Sequence, residues 1–421
     1  MKKLASFLIL AIFFIYPAAS AEEISLTLDE ALNLALRQNR DILLKSEDVN
    51  KAKQDIKEAR ASLYPSVDLT SAWSRNNGYY SKDFSAFNYQ IGAKYYLYKG
   101  GETINTIKYT EHLLDADQAI LDKTQLDTVL NVKKAFYTLL LSTEYAALNR
   151  DILKNTKGHL DFIEARYKKG LASGSDVLQI KSSLDSVRQA YENALNQIGS
   201  SHALLNNYLY LDKDVSVTAA GKLSYTEEEL IFDQALLYAL NKRPEVRQYE
   251  AEFKAAEKAV DVAKADSRPS VYASWDYYSR DHAALGTARN WGDNNIMGIT
   301  FSWPIFDGWA AKSKIEQSIV DLKEADILRQ RAAGDIALEF KNAYISLKNA
   351  IAKIDSMESD LKVYNDNMTG VKEKFKQGIT SSLDLDDAVL KHSISMFNMD
   401  SAVYDYVIAK SSLDKVMGGG R

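Results

Sequence analysis

The sequence is laid out twice, and from residue 98 to 176 the spacing between the copies tolerates no insertion. Leu63-Tyr64-Pro65-Ser66-Val67 matches Ser267-Arg268-Pro269-Ser270-Val271, and Ala31, Leu32, Ala35 and Leu36 match Ala235, Leu236, Ala239 and Leu240, all 204 residues apart. Tyr98-Lys99-Gly100 matches Phe306-Asp307-Gly308, Ala135-Phe136 matches Ala343-Tyr344, Tyr167-Lys168-Lys169-Gly170 matches Phe375-Lys376-Gln377-Gly378, and Asp176 matches Asp384, all 208 apart. Over roughly 80 positions the halves therefore keep register, although few identities survive. A long helix whose far end must meet a partner imposes such a limit, because one extra residue adds about 1.5 Å and turns everything beyond it by about 100°. Loops do not keep length so strictly. Repeat one covers about 24–218 and repeat two about 224–421.

Within repeat one, Thr27-x-x-Glu30 reads as a capping box that opens a helix from Thr27 to Leu63, stopped by Pro65. The period then becomes two. Val67, Leu69 and Trp73 fall on one face and Ser66, Asp68, Thr70 and Ser74 on the other, a strand over about 66–75. A polar stretch from Asn76 to Phe87 is expected to turn the chain. The return strand, about 88–97, places Tyr89, Ile91, Ala93, Tyr95 and Leu97 on one face. Repeat two predicts strands at about 270–278 (Val271, Ala273, Trp275, Tyr277) and 296–304 (Met297, Ile299, Phe301, Trp303), joined by a loop from Ser279 to Asn295. Each is about the ten residues that a tilted transmembrane strand needs.

From Gly100-Gly101 to Lys169 there is no proline and one glycine, Gly158. Such a helix is about 100 Å long. Ile107, Leu114 and Leu121 recur every seven residues, and Val129, Val132, Phe136 and Leu139 step by three and four, as in coiled coils. Trp309 to Gln377 repeats the arrangement. Gly170 and Gly378 end the long helices, and Ser173 and Ser381 stand as N-caps for returning helices. Helical hairpin tips are expected at about 170–175 and 378–383.

Residues 1–21 read as a secretory signal peptide: Lys2 and Lys3, an apolar run from Leu4 to Ile15, and an A-x-A site at Ala19-Ser20-Ala21. The mature chain, 22–421, is expected to be a single domain. The net charge of −5, or −7 without Lys2 and Lys3, offers no basic excess for nucleic acid. With no cysteine there is no disulfide frame, thiolate metal site or lipid attached to an N-terminal Cys. His112, His159, His202, His282 and His392 lie apart without ligand spacing, and Met396-x-x-Met399 is ordinary helical packing, so no metal is expected. No nucleotide or nucleophile motif is present, which argues for no cofactor and against an enzyme. Past Glu22 no stretch approaches 18 apolar residues, so any membrane crossing uses strands. Four strands cannot close a barrel in lipid, and the subunit must oligomerise to do so.

Three motifs make the chain resemble the TolC-type outer-membrane efflux proteins, the outer membrane factors, over its whole mature length. They are Ala59-Arg60-Ala61-Ser62-Leu63-Tyr64-Pro65 with its echo at Pro269, Trp303-Pro304-Ile305-Phe306-Asp307-Gly308, and Arg166-Tyr167-x-x-Gly170-Leu171. The resemblance implies a mainly α fold with a β-barrel part: a homotrimer whose 12-stranded outer-membrane barrel continues into a long periplasmic coiled-coil α-helical barrel. It implies a passive exit duct for a tripartite efflux pump or type I secretion system, opening at its periplasmic tip. The partners are outer-membrane lipid, a periplasmic adaptor, and an inner-membrane pump or ABC transporter.

By the same resemblance, Asp384 and Asp387, with Asp386 between them, form a periplasmic constriction ring. The alternative reading is that these acids complement a helix dipole. Asp176 matches a tip-lock aspartate, but Phe375 and Thr380 stand where the family has its tyrosine and arginine partners. Gly170-Leu171 and Gly378-Ile379 match the tips presented to the adaptor. Trp73, Tyr95, Trp275, Phe301 and Trp303 fit a membrane-interface aromatic girdle. A soluble periplasmic coiled-coil scaffold is the competing function.

Overall fold

The computed structural model describes residues 23–79, 82–212, 215–226, 230–284 and 290–419, so the expected signal at 1–21 lies outside the described residues. Repeat one runs β1 (Glu23–Leu26), α1 (Leu28–Gln38), α2 (Arg40–Ala61), β2 (Ser66–Tyr79), β3 (Lys82–Lys99), α3 (Glu102–Lys168), α4 (Gly174–Leu209) and β4 (Ser216–Ala219). Repeat two runs α5 (Phe232–Lys242), α6 (Pro244–Ala265), β5 (Ser270–Ala284), β6 (Asn290–Ser302), α7 (Ala310–Lys376) and α8 (Ser382–Val416). Helices α1 and α5, and α2 and α6, start and stop 204 residues apart, while the 67-residue α3 and α7 do so 208 apart. The change of spacing therefore falls inside the strand hairpin.

The expected helix from Thr27 to Leu63 is in fact two helices. Thr27 and Glu30 form the capping box, with the Thr27 N–H and hydroxyl donating to the Glu30 carboxylate at 2.9 and 2.8 Å. Asn39, however, adopts an extended backbone (φ −60°, ψ 122°), and its side-chain oxygen accepts the N–H groups of Asp41 and Ile42 at 2.9 and 3.2 Å. An asparagine inside a helical apolar pattern is thus a cap, because its short amide satisfies the orphan donors of a new helix. In repeat two Arg243 holds that slot. Pro244 follows it at the first helical position, where its missing N–H needs no cap. Arg243 is free to do other work: only 3% exposed, it grips Glu245 with two bonds at 2.7 and 2.8 Å and reaches Glu339 of α7 at 2.8 Å. Lys415 of α8 extends the network to Asp127 at 2.6 Å.

The chain divides into two compact units. The first comprises Met1–Arg37, Asn131–Ser224 and Ser356–Tyr404, and the second Gln38–Leu130, Tyr225–Asp355 and Asp405–Arg421. In the first unit, Val132, Ala135, Phe136 and Leu139 of α3 pack against Ala31 and Ala35 of α1 and Leu205 and Leu209 of α4. Val217 of β4 joins this core, and β4 pairs with β1 in parallel. That pair was not expected, since four-residue strands carry too little periodicity to register. In the second unit, Phe232 of α5 meets Phe340 and Tyr344 of α7 edge-on, at centroid distances of 5.3 and 5.1 Å.

The second unit also holds an antiparallel sheet ordered β2-β3-β5-β6. Its strands outrun the expected spans, and Asn76 to Phe87, read as a turn, is largely strand. Ladder hydrogen bonds belong to the backbone, so a polar stretch without apolar alternation can still be strand. The expected loop from Ser279 to Asn295 is likewise partly strand, for the same reason. Conversely β6 stops at Ser302 rather than at 304, because Pro304 has no N–H to donate. The junction into each long helix is left-handed: Gly100 and Gly101 have φ +62° and +87°, and Gly308 and Trp309 both +70°. At Gly100 a Cβ would also sit 2.7 Å from the Ala265 carbonyl oxygen.

Replacing Arg243 by alanine strands the mostly buried Glu245, while Glu339 keeps Lys415 at 3.7 Å, and is expected to cost about 3 kcal/mol in denaturant melts. Asn39→Ala, which removes only a cap, should cost about 1 kcal/mol. Equal costs would show that Glu245 does not depend on Arg243 for its charge partner.

Candidate functional site

Two surfaces carry the residues singled out above, one in each unit. In the first unit both hairpin tips are built alike. Gly170 takes φ +73°, its N–H donates to Tyr167 O at 2.9 Å, and Leu171 N–H donates to Arg166 O at 2.9 Å. Gly378 takes φ +74°, with Gly378 N–H to Phe375 O at 3.0 Å and Ile379 N–H to Lys374 O at 2.9 Å. These paired bonds satisfy the last carbonyls of α3 and α7 and require the left-handed glycine. Leu171 and Ile379, which usually would fold back onto such a helix, are exposed.

A second cap follows at once. Ser173 Oγ accepts Asp176 N–H at 3.1 Å while the Asp176 carboxylate accepts Ser173 N–H at 2.8 Å. Asp384, its repeat counterpart, accepts from Ser381 N–H at 3.0 Å, Ser381 Oγ at 2.7 Å and Thr380 Oγ1 at 2.8 Å. The bond from the Ser173 backbone, ahead of that from its side chain, holds the Asp176 carboxyl below the usual range. The Ser381 and Thr380 hydroxyls, with the Ser381 backbone, do the same for Asp384. Each capping acid is thus ionised and turned onto its own helix start. Thr380, standing where a lock arginine was sought, spends its hydroxyl on Asp384, and Phe375 is exposed.

Asp386 and Asp387 are exposed and have no hydrogen-bond or ion-pair partner among the described residues. Asp386 opens a groove of about 440 Å³ with Asp151, Lys154, Leu390 and Ser393. The neighbouring groove holds Glu144, Asp151, Phe397 and Asp400, and burial, then the Glu144 charge, pushes the Asp400 carboxyl above its ordinary value. Sequence reasoning missed Glu144, Asp151 and Asp400. The available signal was heptad spacing: Glu144 and Asp151 are seven apart on α3, as are Asp386, Ser393 and Asp400 on α8.

In the second unit the sheet has one apolar and one polar face. Pairing aligns Val67, Ala93, Trp275 and Met297 in one row, and Leu69, Ile91 and Tyr277 in the next. Trp73, Tyr95, Phe301 and Trp303 are exposed on this chain, and Trp275 is half-buried. On the other face Asp68, Thr70, Gln90, Lys94 and Asp276 line a cleft of about 560 Å³. There Gln90 donates to Asp276 and to the Tyr278 hydroxyl at 3.1 Å each, and Lys94 Nζ lies 4.1 Å from the Tyr272 ring centroid. Strands β2 and β6 are edges paired on one side only among the described residues.

A doubled sheet-and-helical-hairpin chain with an exposed apolar sheet face matches one known sequence profile. That of the family described as outer membrane efflux protein covers residues 31–209 and 236–419. The chain belongs to the outer membrane efflux protein family. It is an outer-membrane efflux protein, mainly helical, with the two matched segments corresponding to its repeats. It is similar to the outer membrane protein TolC of Salmonella enteritidis, 22% identical over 93% of this chain and 83% of the relative. The toluene efflux pump outer membrane protein TtgC of Pseudomonas putida is 22% identical with the same coverage, 93% and 83%. The Campylobacter jejuni CmeC outer membrane channel shares the fold, with a TM-score of 0.77 at 17% identity over 93% of this chain and 86% of that one.

The tip caps of this efflux protein carry a definite pH dependence. Because the folded Asp176 and Asp384 carboxyls lie below their ordinary value, their contribution is complete above about pH 4 and is lost as pH falls through the lowered values. Hydrogen-exchange protection of the Ser173 and Ser381 amides should hold from neutral pH to about pH 4 and fall below it. In Asp176→Asn and Asp384→Asn it should be weaker already at neutral pH, and an unchanged value there would mean that the carboxylates do not hold the caps.

Proposed function

We propose that three copies of this chain form a passive outer-membrane exit duct of a tripartite efflux pump or type I secretion system, opened at its periplasmic helical tip. The carrying observation is the sheet: four strands with two unpaired edges, an exposed apolar face and a polar opposite face. Edge N–H and C=O groups left without partners in lipid cost several kcal/mol each, about the same penalty at every exposed rung. Four strands from each of three chains close a twelve-stranded barrel and remove every edge. The apolar face, with Trp73, Tyr95, Trp275, Phe301 and Trp303, then meets lipid, and the face with Asp68, Gln90 and Lys94 lines the water-filled lumen. A soluble scaffold gives no reason for such a face to stay uncovered. No helix among the described residues is long and apolar enough to cross a membrane, consistent with strands as the spanning elements.

At the tip, Asp386 and Asp387 supply the exposed acids of a constriction, and Asp384 anchors the helix that presents them. Like charges brought close around an axis attract cations and resist joint ionisation. Asp176 serves as a cap, and a lock through it lacks the tyrosine and arginine that the family pattern would supply. Leu171 and Ile379, held out by rigid glycine turns, fit an adaptor's apolar contact. The duct performs no chemistry, and energy comes from the inner-membrane partner.

The test is the mass of the detergent-extracted protein together with its single-channel conductance in a planar bilayer. A trimer with small, cation-selective conductance that rises several-fold in Asp386→Ala plus Asp387→Ala is expected; a water-soluble protein without channel activity sinks the proposal. Leu171→Asp with Ile379→Asp should leave mass and conductance unchanged but abolish efflux in cells. Retained efflux would remove the adaptor role from these tips.

A further inference from the structure

The alternation of β6 does not stop where its hydrogen bonding stops. Met297, Ile299 and Phe301 are followed at the same period by Trp303 and Ile305, all exposed, and then by Phe306 and Trp309. Ile305, Phe306 and Trp309 are 89%, 75% and 65% exposed, more than their chemistry suits in water. Trp309 is also held in the left-handed region at φ +70°, a conformation that a bulky side chain rarely adopts. The same backbone position in repeat one, 208 residues earlier, is Gly101 at φ +87°. The junction needs a left-handed residue, and one repeat meets that need with glycine while the other puts its largest side chain there. Packing inside the chain does not account for the choice, since the ring is mostly exposed.

The segment is nevertheless held by specific contacts. The Asp307 carboxylate accepts the Ala311 N–H at 2.7 Å, fixing the start of α7, and the Trp303 indole N–H donates to Ser267 O at 3.3 Å. Phe306 and Trp309 meet edge to face at 6.0 Å, and Lys312 Nζ lies 5.6 Å from the Trp309 ring centroid. A rigid aromatic pair with a polar indole N–H, crowned by an ammonium, matches the boundary between acyl chains and anionic headgroups.

We infer that Phe306, Trp309 and Lys312 form a membrane anchor in the headgroup layer of the periplasmic leaflet, beyond the girdle of the strands, and that repeat two alone carries it. The inference rests on the outer-membrane duct reading and on the continuity of this patch with the sheet's apolar face. In a trimer, three anchored junctions then alternate with three glycine junctions. Strain at Trp309 is tolerated because lipid burial of the ring offsets it.

The experiment uses the full chain reconstituted in phosphatidylethanolamine and phosphatidylglycerol vesicles whose acyl chains are brominated either near the headgroup or near the terminal methyl. A variant keeping Trp309 as its sole tryptophan (Trp73, Trp275, Trp291 and Trp303 each replaced by Phe) should show blue-shifted emission, quenched more by the shallow bromines than by the deep ones. The wild-type minus Trp309→Gly difference spectrum gives the same readout if the multiple variant fails to fold, since glycine suits this backbone. Emission typical of wet indole overturns the anchor, and so does a blue-shifted emission that neither bromine reaches, which would mean that a neighbouring subunit covers the ring. Vesicle flotation separates the two readings: a protein that does not float overturns the duct itself, and one that floats without quenching overturns only the anchor.

Discussion

A backbone N–H or C=O that meets hydrocarbon has to be paired within protein, and a four-stranded sheet leaves two rows of them unpaired at β2 and β6. The exposed apolar face makes water an equally poor surrounding. In the proposed duct, closure with further copies satisfies both demands, and oligomerisation is then a condition of the fold rather than an addition to it. The two-faced rows of the sheet, Val67-Ala93-Trp275-Met297 against Asp68, Gln90 and Lys94, are what closure turns into an outside and an inside.

Duplication supplies the scaffold, and divergence works in fixed slots upon it. The helix boundaries of the two repeats coincide at offsets of 204 and 208, yet the side chains in matching places do different things. Asn39 caps a helix where Arg243 binds two glutamates, and Val132 packs among alanines and leucines where its counterpart Phe340 joins an aromatic cluster with Phe232 and Tyr344. Gly101 and Trp309 share a left-handed backbone and nothing else. Helix length is kept because rotation per residue makes any change global, whereas a side chain can change locally if its neighbours adjust.

The hairpin tips combine rigidity with charge by dividing the acids between two tasks. Asp176 and Asp384 are held by serine hydroxyls and backbone amides and so keep their charge while losing their freedom. Asp386 and Asp387 are exposed and without a hydrogen-bond or ion-pair partner among the described residues. Farther along the same helices Glu144 and Asp400 crowd together, and burial disfavours the second charge.

The repeat, the strand faces, the long helices, the tip glycines and the serine caps were legible in the sequence because each is a local rule: a period, a cap, a left-handed turn. The break at Asn39, the β1–β4 pair and the polar continuation of β2 and β3 were not, since a cap inside an apolar pattern and a backbone ladder leave little periodic trace. Among the site residues, the sequence by itself determined which acids and apolar residues stand at the tips, since their distance from Gly170 and Gly378 is covalent. The occupation of Asp384 by Ser381 and Thr380, three and four residues away, is local as well, with Asp386 and Asp387 left to solvent; tertiary structure alone decided what lies beside Asp386 on the neighbouring helix. It alone also brought Glu144 to Asp400 and Arg243 to Glu339, contacts made between helices far apart in the chain, where packing geometry and not spacing along the sequence sets the distance.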